Sequence, residues 1–136
     1  HDSALYTTSV SPSSLDASVS FVSKYVDKDK IIPGAAFYVR KGTFSDGVSQ
    51  QLGSSLKTSM GSGSMTFANL MNLIENNDQY IEQYDESAKA AYIICNNVFY
   101  SYDNVKSIKD KCQYVKENNL GGLMCWELTQ DYIVMV

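Results

Sequence analysis

The chain has 136 residues, 44% of them hydrophobic and 12% aromatic, which suits one domain with a buried core and argues against a disordered chain. Eleven Lys and Arg against fifteen Asp and Glu leave a net charge of −4, and the cations are scattered, so the basic stripe that nucleic acid requires is missing. No apolar run approaches the ~20 residues that cross a bilayer and nothing at the start reads as a signal peptide, so a soluble chain without a membrane partner is expected.

Residues 1–12 read as a loop ending at Pro12. Ser13 or Ser14 can cap a helix in which Leu15, Val19, Val22 and Val26 form one apolar stripe, with Asp16 suited to the first turn. A polar break leads to residues 31–40, whose composition predicts a strand buried on both faces after a Pro33-Gly34 start. Alternation places Ala36, Tyr38 and Arg40 on one face, and Ala35, Phe37 and Val39 on the other, toward a helix.

Between Gly42 and Ser64 lie five of the eight glycines and seven serines, a composition that predicts a mobile loop because ordering it buries little. Thr66 then starts a short helix with Phe67, Leu70, Met71 and Ile74 on one side, ending at Asn76-Asn77. Two β-rich runs flank Asn96-Asn97, a dipeptide that tolerates positive φ and suits a two-residue hairpin turn. Asp103 or Asn104 caps a further helix with Val105, Ile108, Cys112 and Val115 inward and lysines outward. Residues 120–127 predict a second buried strand, with Gly122, Met124 and Trp126 sharing a face. Two buried strands joined through a helix point to parallel βαβ winding.

The one histidine, His1, is a weak foundation for a catalytic triad, a Cys-His dyad or a His-rich metal site. Cys95, Cys112 and Cys125 are odd in number, lack CxxC spacing and lie among apolar residues, which suits packed thiols better than zinc ligands. One disulfide plus a free thiol stays open. No metal and no cofactor are expected.

The block IIPGAAFYVRKGTF at residues 31–44, YDESAKAAYII at 84–94 and the ordered pair SYDN…SIKDK and LGGLMCWE within 99–131 together resemble the C-terminal third of a glycoside hydrolase family 18 domain, the chitinase family. The opening HDSALY also resembles the loop after that family's sixth barrel strand. The resemblance implies an α/β fold class, a fragment of a TIM (β/α)8 barrel comprising strands seven and eight with their helices and carrying an α+β insertion. It implies three segments: 1–41 as barrel, 42–102 as insertion, and 103–136 as barrel. The family's usual Gly within the strand-seven motif is Val39 here, and the Pro before the insertion tyrosine is Ala91.

The family's DxxDxDxE motif, whose Glu is the acid catalyst in substrate-assisted hydrolysis, is not in these 136 residues. The nearest spacing, Glu75, Asp78 and Glu82, begins on a helix and reads as a solvated face. No catalytic residue is therefore assigned. The chain is expected to be inactive alone and to contribute cleft residues for β-1,4-linked N-acetylglucosamine polymers. The alternative is a fragment of a chitinase-like lectin, in which binding survives without hydrolysis.

Trp126, at the C-terminal end of a strand, is the first candidate for substrate binding, because a flat indole stacks on the apolar face of a pyranose. Tyr38 and Arg40 share a face with the cleft, and Arg40 offers a fork of donors to sugar oxygens or an ion pair, with Asp131 as a partner. By the resemblance, Tyr92 walls the cleft, together with Tyr84 and Asp85, while His1, Asp2 and Tyr6 border it. Glu127 turns away and reads as structural. The implied partners are a chitin-like oligosaccharide and either the rest of the barrel or another copy of the chain, which would cover open strand edges. Family membership implies secretion.

Overall fold

The computed structural model describes residues 1–58, 60–62 and 64–132. Ser59 and Gly63 of the predicted loop, and positions 133–136 of the last predicted segment, lie outside the described residues.

Helix α1 (Leu15–Val22) starts where Ser14 accepts a hydrogen bond from the Ala17 amide at 3.1 Å, with Asp16 favourable in the first turn. It ends before Val26. Val19 is buried with Leu5, Ile31 and Tyr114, and Leu15 packs on that cluster. Val22, at the end of α1, and Val26, beyond it, are exposed.

The strand predicted over residues 31–40 is two strands. Strand β1 (Gly34–Ala36) belongs to a two-stranded sheet, and β2 (Tyr38–Thr43) belongs to a five-stranded one. The chain changes sheet at Phe37. Its amide bonds the Trp126 carbonyl at 2.8 Å, while the preceding Ala36 amide bonds Asp103 Oδ2 at 2.9 Å. Past that junction β2 takes its partners from the second sheet, so the boundary expected at 41/42 falls inside β2.

Strand β3 (Ser64–Thr66), helix α2 (Phe67–Asn76), and strands β4 (Gln83–Asp85), β5 (Ala90–Cys95) and β6 (Val98–Tyr102) complete that second unit. Its sheet has the order β3-β2-β6-β5-β4, antiparallel throughout. Thr66 caps α2 by accepting from the Asn69 amide at 3.1 Å. Asn96 and Asn97 turn the β5–β6 hairpin at φ 50° and 64°, as a type I′ turn requires. One face of the sheet carries Val39, Ala91, Ile93, Tyr100 and Tyr102 against Leu70 of α2, so Val39 does face a helix, the one inside this unit. The Gly/Ser-rich stretch holds more order than its composition predicts. Phe44 is buried and bridges Leu56, and the Lys57 amide bonds the Thr43 carbonyl at 2.7 Å.

Helix α3 (Val105–Glu117) has a capping box on Asn104 and Ser107. Its buried face is Ser107, Lys111, Tyr114 and Val115, whereas Val105 is 72% exposed. The apolar stripe and the outward lysines predicted for it are therefore corrected at two positions. Lys111 is drawn inward by the buried carboxylate of Asp103, a pull that outweighs the preference of an unpaired ammonium for water. The last strand, β7 (Met124–Trp126), pairs in parallel with β1, in the register Gly34↔Met124, Ala35↔Cys125 and Ala36↔Trp126. It is shorter and more exposed than the buried strand expected, since β1 is its one strand neighbour among the described residues. The three cysteines are free thiols. No helix among the described residues is long and apolar enough to cross a membrane.

Leu70→Ala should destabilise the chain by about 2–5 kcal/mol, the usual range for deleting a buried Leu side chain, measured by urea unfolding. Gly121 donates to the Ile31 carbonyl at 2.9 Å, and a Cβ there would collide with the Asp29 carbonyl. Gly121→Ala is therefore expected to lower the melting temperature, whereas Gly47→Ala, which meets no neighbour and carries only the penalty of φ 75°, should lower it less.

Candidate functional site

A groove of about 540 Å³ runs between α1, the N-terminal loop and the β1–β7 pair. Because β1 and β7 are parallel, their C-terminal ends meet at Ala36 and Trp126, and Tyr38 stands two residues beyond Ala36. Trp126 and Tyr38 both line the groove, with Asp2 and Lys111. Trp126 is 60% exposed. Its indole is thus available as a surface, while its carbonyl is tied to Phe37. The Trp126–Glu127 peptide is cis. Glu127 accepts from Gln130 Nε2 at 3.1 Å, and bonds from Gln130 and Thr129 hold its carboxyl below the ordinary value.

Arg40 and Tyr92 are brought together by strand register. Arg40 of β2 and Tyr92 of β5 both lie opposite Ser101 of β6, so the three form one cross-strand row on the face away from α2. The N-terminal residues lie over this face. The Asp2 amide bonds Ser101 Oγ at 3.0 Å, the His1 ring meets Tyr92 edge-on at 5.5 Å, and Asp2 Oδ2 is 3.9 Å from Arg40 Nε. Arg40 also donates from Nη1 to the Gly61 carbonyl at 3.3 Å, and its guanidinium lies 4.9 Å from the centre of the Tyr38 ring. The ion-pair partner of Arg40 is therefore Asp2 and not Asp131, which instead accepts from the Tyr132 amide. Burial raises the Asp2 carboxyl above its ordinary value, and the nearby Arg40 charge partly opposes this.

Tyr92 does not line the groove. Its ring stacks on Phe99 at 5.7 Å, and burial, with the Asp85 charge a lesser cause, raises its phenol. His1 Nε2 lies 3.1 Å from Asp85 Oδ2, with the His1 side chain fully buried. Tyr84 turns toward α3 and donates to Asp110 at 2.7 Å; burial and that bond raise its phenol. Of the three spaced acidic residues, Glu82 accepts from Tyr102 Oη and Asn104 Nδ2, each at 2.8 Å, and Glu75 accepts from Tyr132 Oη.

Sequence reasoning missed the buried cluster behind the groove. Asp103 accepts from Ala36, Ser3, Ser107 and Lys111, and its pair with Lys111 is shielded from water. The signal was present in the spacing. Ser107 and Lys111 share one face of α3 and Asp103 stands just before its cap at the same four-residue spacing, but all three are polar, and a search for apolar stripes passes over them.

The family model for glycosyl hydrolases family 18 matches residues 1–131. The chain is 32% identical over 112 residues to chitinase A1 of Niallia circulans, covering 75% of this chain and 16% of that protein. It is 53% identical over 49 residues to sporulation-specific chitinase 2 of Saccharomyces cerevisiae, covering 35% and 10%. Among solved structures, a family 18 N-acetylglucosaminidase from Paenibacillus barengoltzii matches with TM-score 0.83 and 37% identity, over 95% of this chain and 39% of that one. A mutant Cycas revoluta chitinase in complex with (GlcNAc)4 matches with TM-score 0.81 and 25% identity, over 94% and 37%. The chain thus spans well under half the length of these relatives. With a family model matched along nearly all of its length, this mixed α/β chain belongs to glycosyl hydrolases family 18.

Proposed function

We propose that the chain is the C-terminal portion of a chitinase-type TIM barrel and supplies one wall of a cleft for β-1,4-linked N-acetylglucosamine. On this reading β1 and β7 are barrel strands seven and eight, residues 1–41 and 103–136 are barrel segments, and 42–102 are the insertion. One observation carries it: Trp126 and Tyr38 project into the same groove from the C-terminal end of a parallel strand pair, the end at which TIM barrels place their sites. Arg40 and Asp2 stand beside Tyr38 as a donor and an acceptor for sugar hydroxyl or acetamido groups. Tyr92 lies outside the groove and belongs to this reading only as the far end of the cross-strand row that holds Arg40.

No DxxDxDxE motif occurs in these 136 residues, so on this reading an acid catalyst would be supplied by another part of the barrel. A two-stranded parallel sheet leaves unpaired strand edges, and Phe21, Ile32, Met124 and Leu128 are exposed apolar side chains of the same barrel segments. The preferred partner is therefore the remainder of a barrel, with a second copy of the chain as its substitute. Secretion, the usual setting for an enzyme acting on an insoluble polysaccharide, is part of the same proposal.

Calorimetric titration with chitotetraose tests the wall. The chain should bind, Trp126→Ala should lose most of the affinity, and Arg40→Ala should weaken it about tenfold, equivalent to ~1.4 kcal/mol. Equal binding by Trp126→Ala, or none by the parent, would sink the assignment. For the barrel, the chain is mixed with the complementary N-terminal two-thirds of a family 18 relative carrying the acid motif. Hydrolysis is expected on mixing and not from the chain alone. A mixture that binds oligosaccharide without cleaving it would count against the barrel assignment, and turnover by the chain alone would overturn the proposal.

A further inference from the structure

We propose that the buried Asp103–Lys111 pair is the positioning element of the groove, setting the backbone from which Asp2, Tyr38 and Trp126 project. The inference rests on the reading of those residues as sugar-facing.

Asp103 lies immediately after β6 and before the cap of α3, and both it and Lys111 are almost completely removed from water. The lysine ammonium donates to both carboxylate oxygens at 2.6 Å and to Ser3 Oγ at 2.6 Å. Oδ1 also accepts from Ser107 Oγ at 2.7 Å, and Oδ2 from Ser3 Oγ at 2.8 Å and the Ala36 amide at 2.9 Å. A carboxylate so supplied with donors is held in one orientation, and the donors are held with it.

Each donor has a neighbour in the candidate site. Ser3 follows Asp2. Ala36 is the last residue of β1 and stands opposite Trp126, and Tyr38 begins β2 two residues later. Consecutive amides of an extended chain point to opposite sides. At this junction the Phe37 amide is spent on the Trp126 carbonyl and the Ala36 amide on Asp103. Asp103 therefore stands where a neighbouring strand would otherwise supply an acceptor to β1. An apolar pair of the same volume could fill the space, but it would leave the Ala36 amide without a partner and Ser3 without an anchor. Directed hydrogen bonding at this point is the property that separates positioning from packing.

The test is amide exchange and indole chemical shift by NMR on the 136-residue chain, read without sugar so that it stands apart from the titration above. Trp126 is the one tryptophan, so its indole signal is unambiguous. Asp103→Leu combined with Lys111→Met replaces the pair by apolar groups. In this variant the Ala36 and Phe37 amides should exchange faster and the Trp126 indole resonance should shift, while the β5–β6 ladder keeps its protection. Ser3→Ala removes a single hydroxyl from the loop side and should move the same signals in the same direction by less. If the paired variant does not fold, Ser3→Ala decides alone. Unchanged Phe37 exchange and indole shift in a folded variant would overturn the proposal, as would an equal acceleration of every amide, which is the signature of general destabilisation.

Discussion

The structure turns on one buried carboxylate. Asp103 binds a lysine from α3, a serine from the N-terminal loop and the amide that ends β1, so three segments separated by up to 108 residues share a single acceptor. Ionised groups are retained in an interior when they are paired and their remaining hydrogen-bonding capacity is filled, and removing one partner of such a pair costs about 3–5 kcal/mol. Here the second condition is met by Ser3, Ser107 and Ala36. The cluster therefore couples the order of the N-terminal loop to the placement of the β1–β7 pair.

That coupling explains how two differently built sheets coexist in one short chain. The antiparallel sheet has its own core, with Leu70 of α2 against β2, β5 and β6. The parallel pair has only three residues on each strand, and the Leu5, Val19, Ile31 and Tyr114 cluster joins α1, α3, the N-terminal loop and the segment that leads into β1. The two meet at Phe37, where one amide points into each system of contacts. The candidate site residues gather near this seam: Trp126 and Tyr38 on one side, Arg40 and Tyr92 in a row across the antiparallel sheet, and His1 and Asp2 laid over them.

Much of the local structure was legible. Ser14, Thr66 and Asn104 each cap a helix because a side-chain oxygen is positioned to accept an otherwise orphaned amide. Asn96-Asn97 turns the hairpin because both residues tolerate positive φ. The grouping of Tyr38 with Arg40 followed from strand alternation. Less legible was the division of residues 31–40. Its continuous apolar run suits one long strand, and nothing local marks the point at which neighbours change. The inward face of α3 was also misjudged, since Lys111 is buried by a charge partner eight residues away and not by its own hydropathy.

Periodicity, capping and turn chemistry act within a few residues, so the sequence by itself determined the helices, the hairpin and the parallel sense of the β1–β7 pair. Its motifs also carried the family resemblance. Register and burial depend on which segments meet, and only the tertiary structure decided these: the break at Phe37, the pairing of Arg40 with Asp2, the separation of Tyr92 from the groove, and the enclosure of Asp103 and Lys111. In each case the deciding energy comes from a partner distant in the chain, through a strand-to-strand hydrogen bond or a charge that burial has deprived of water.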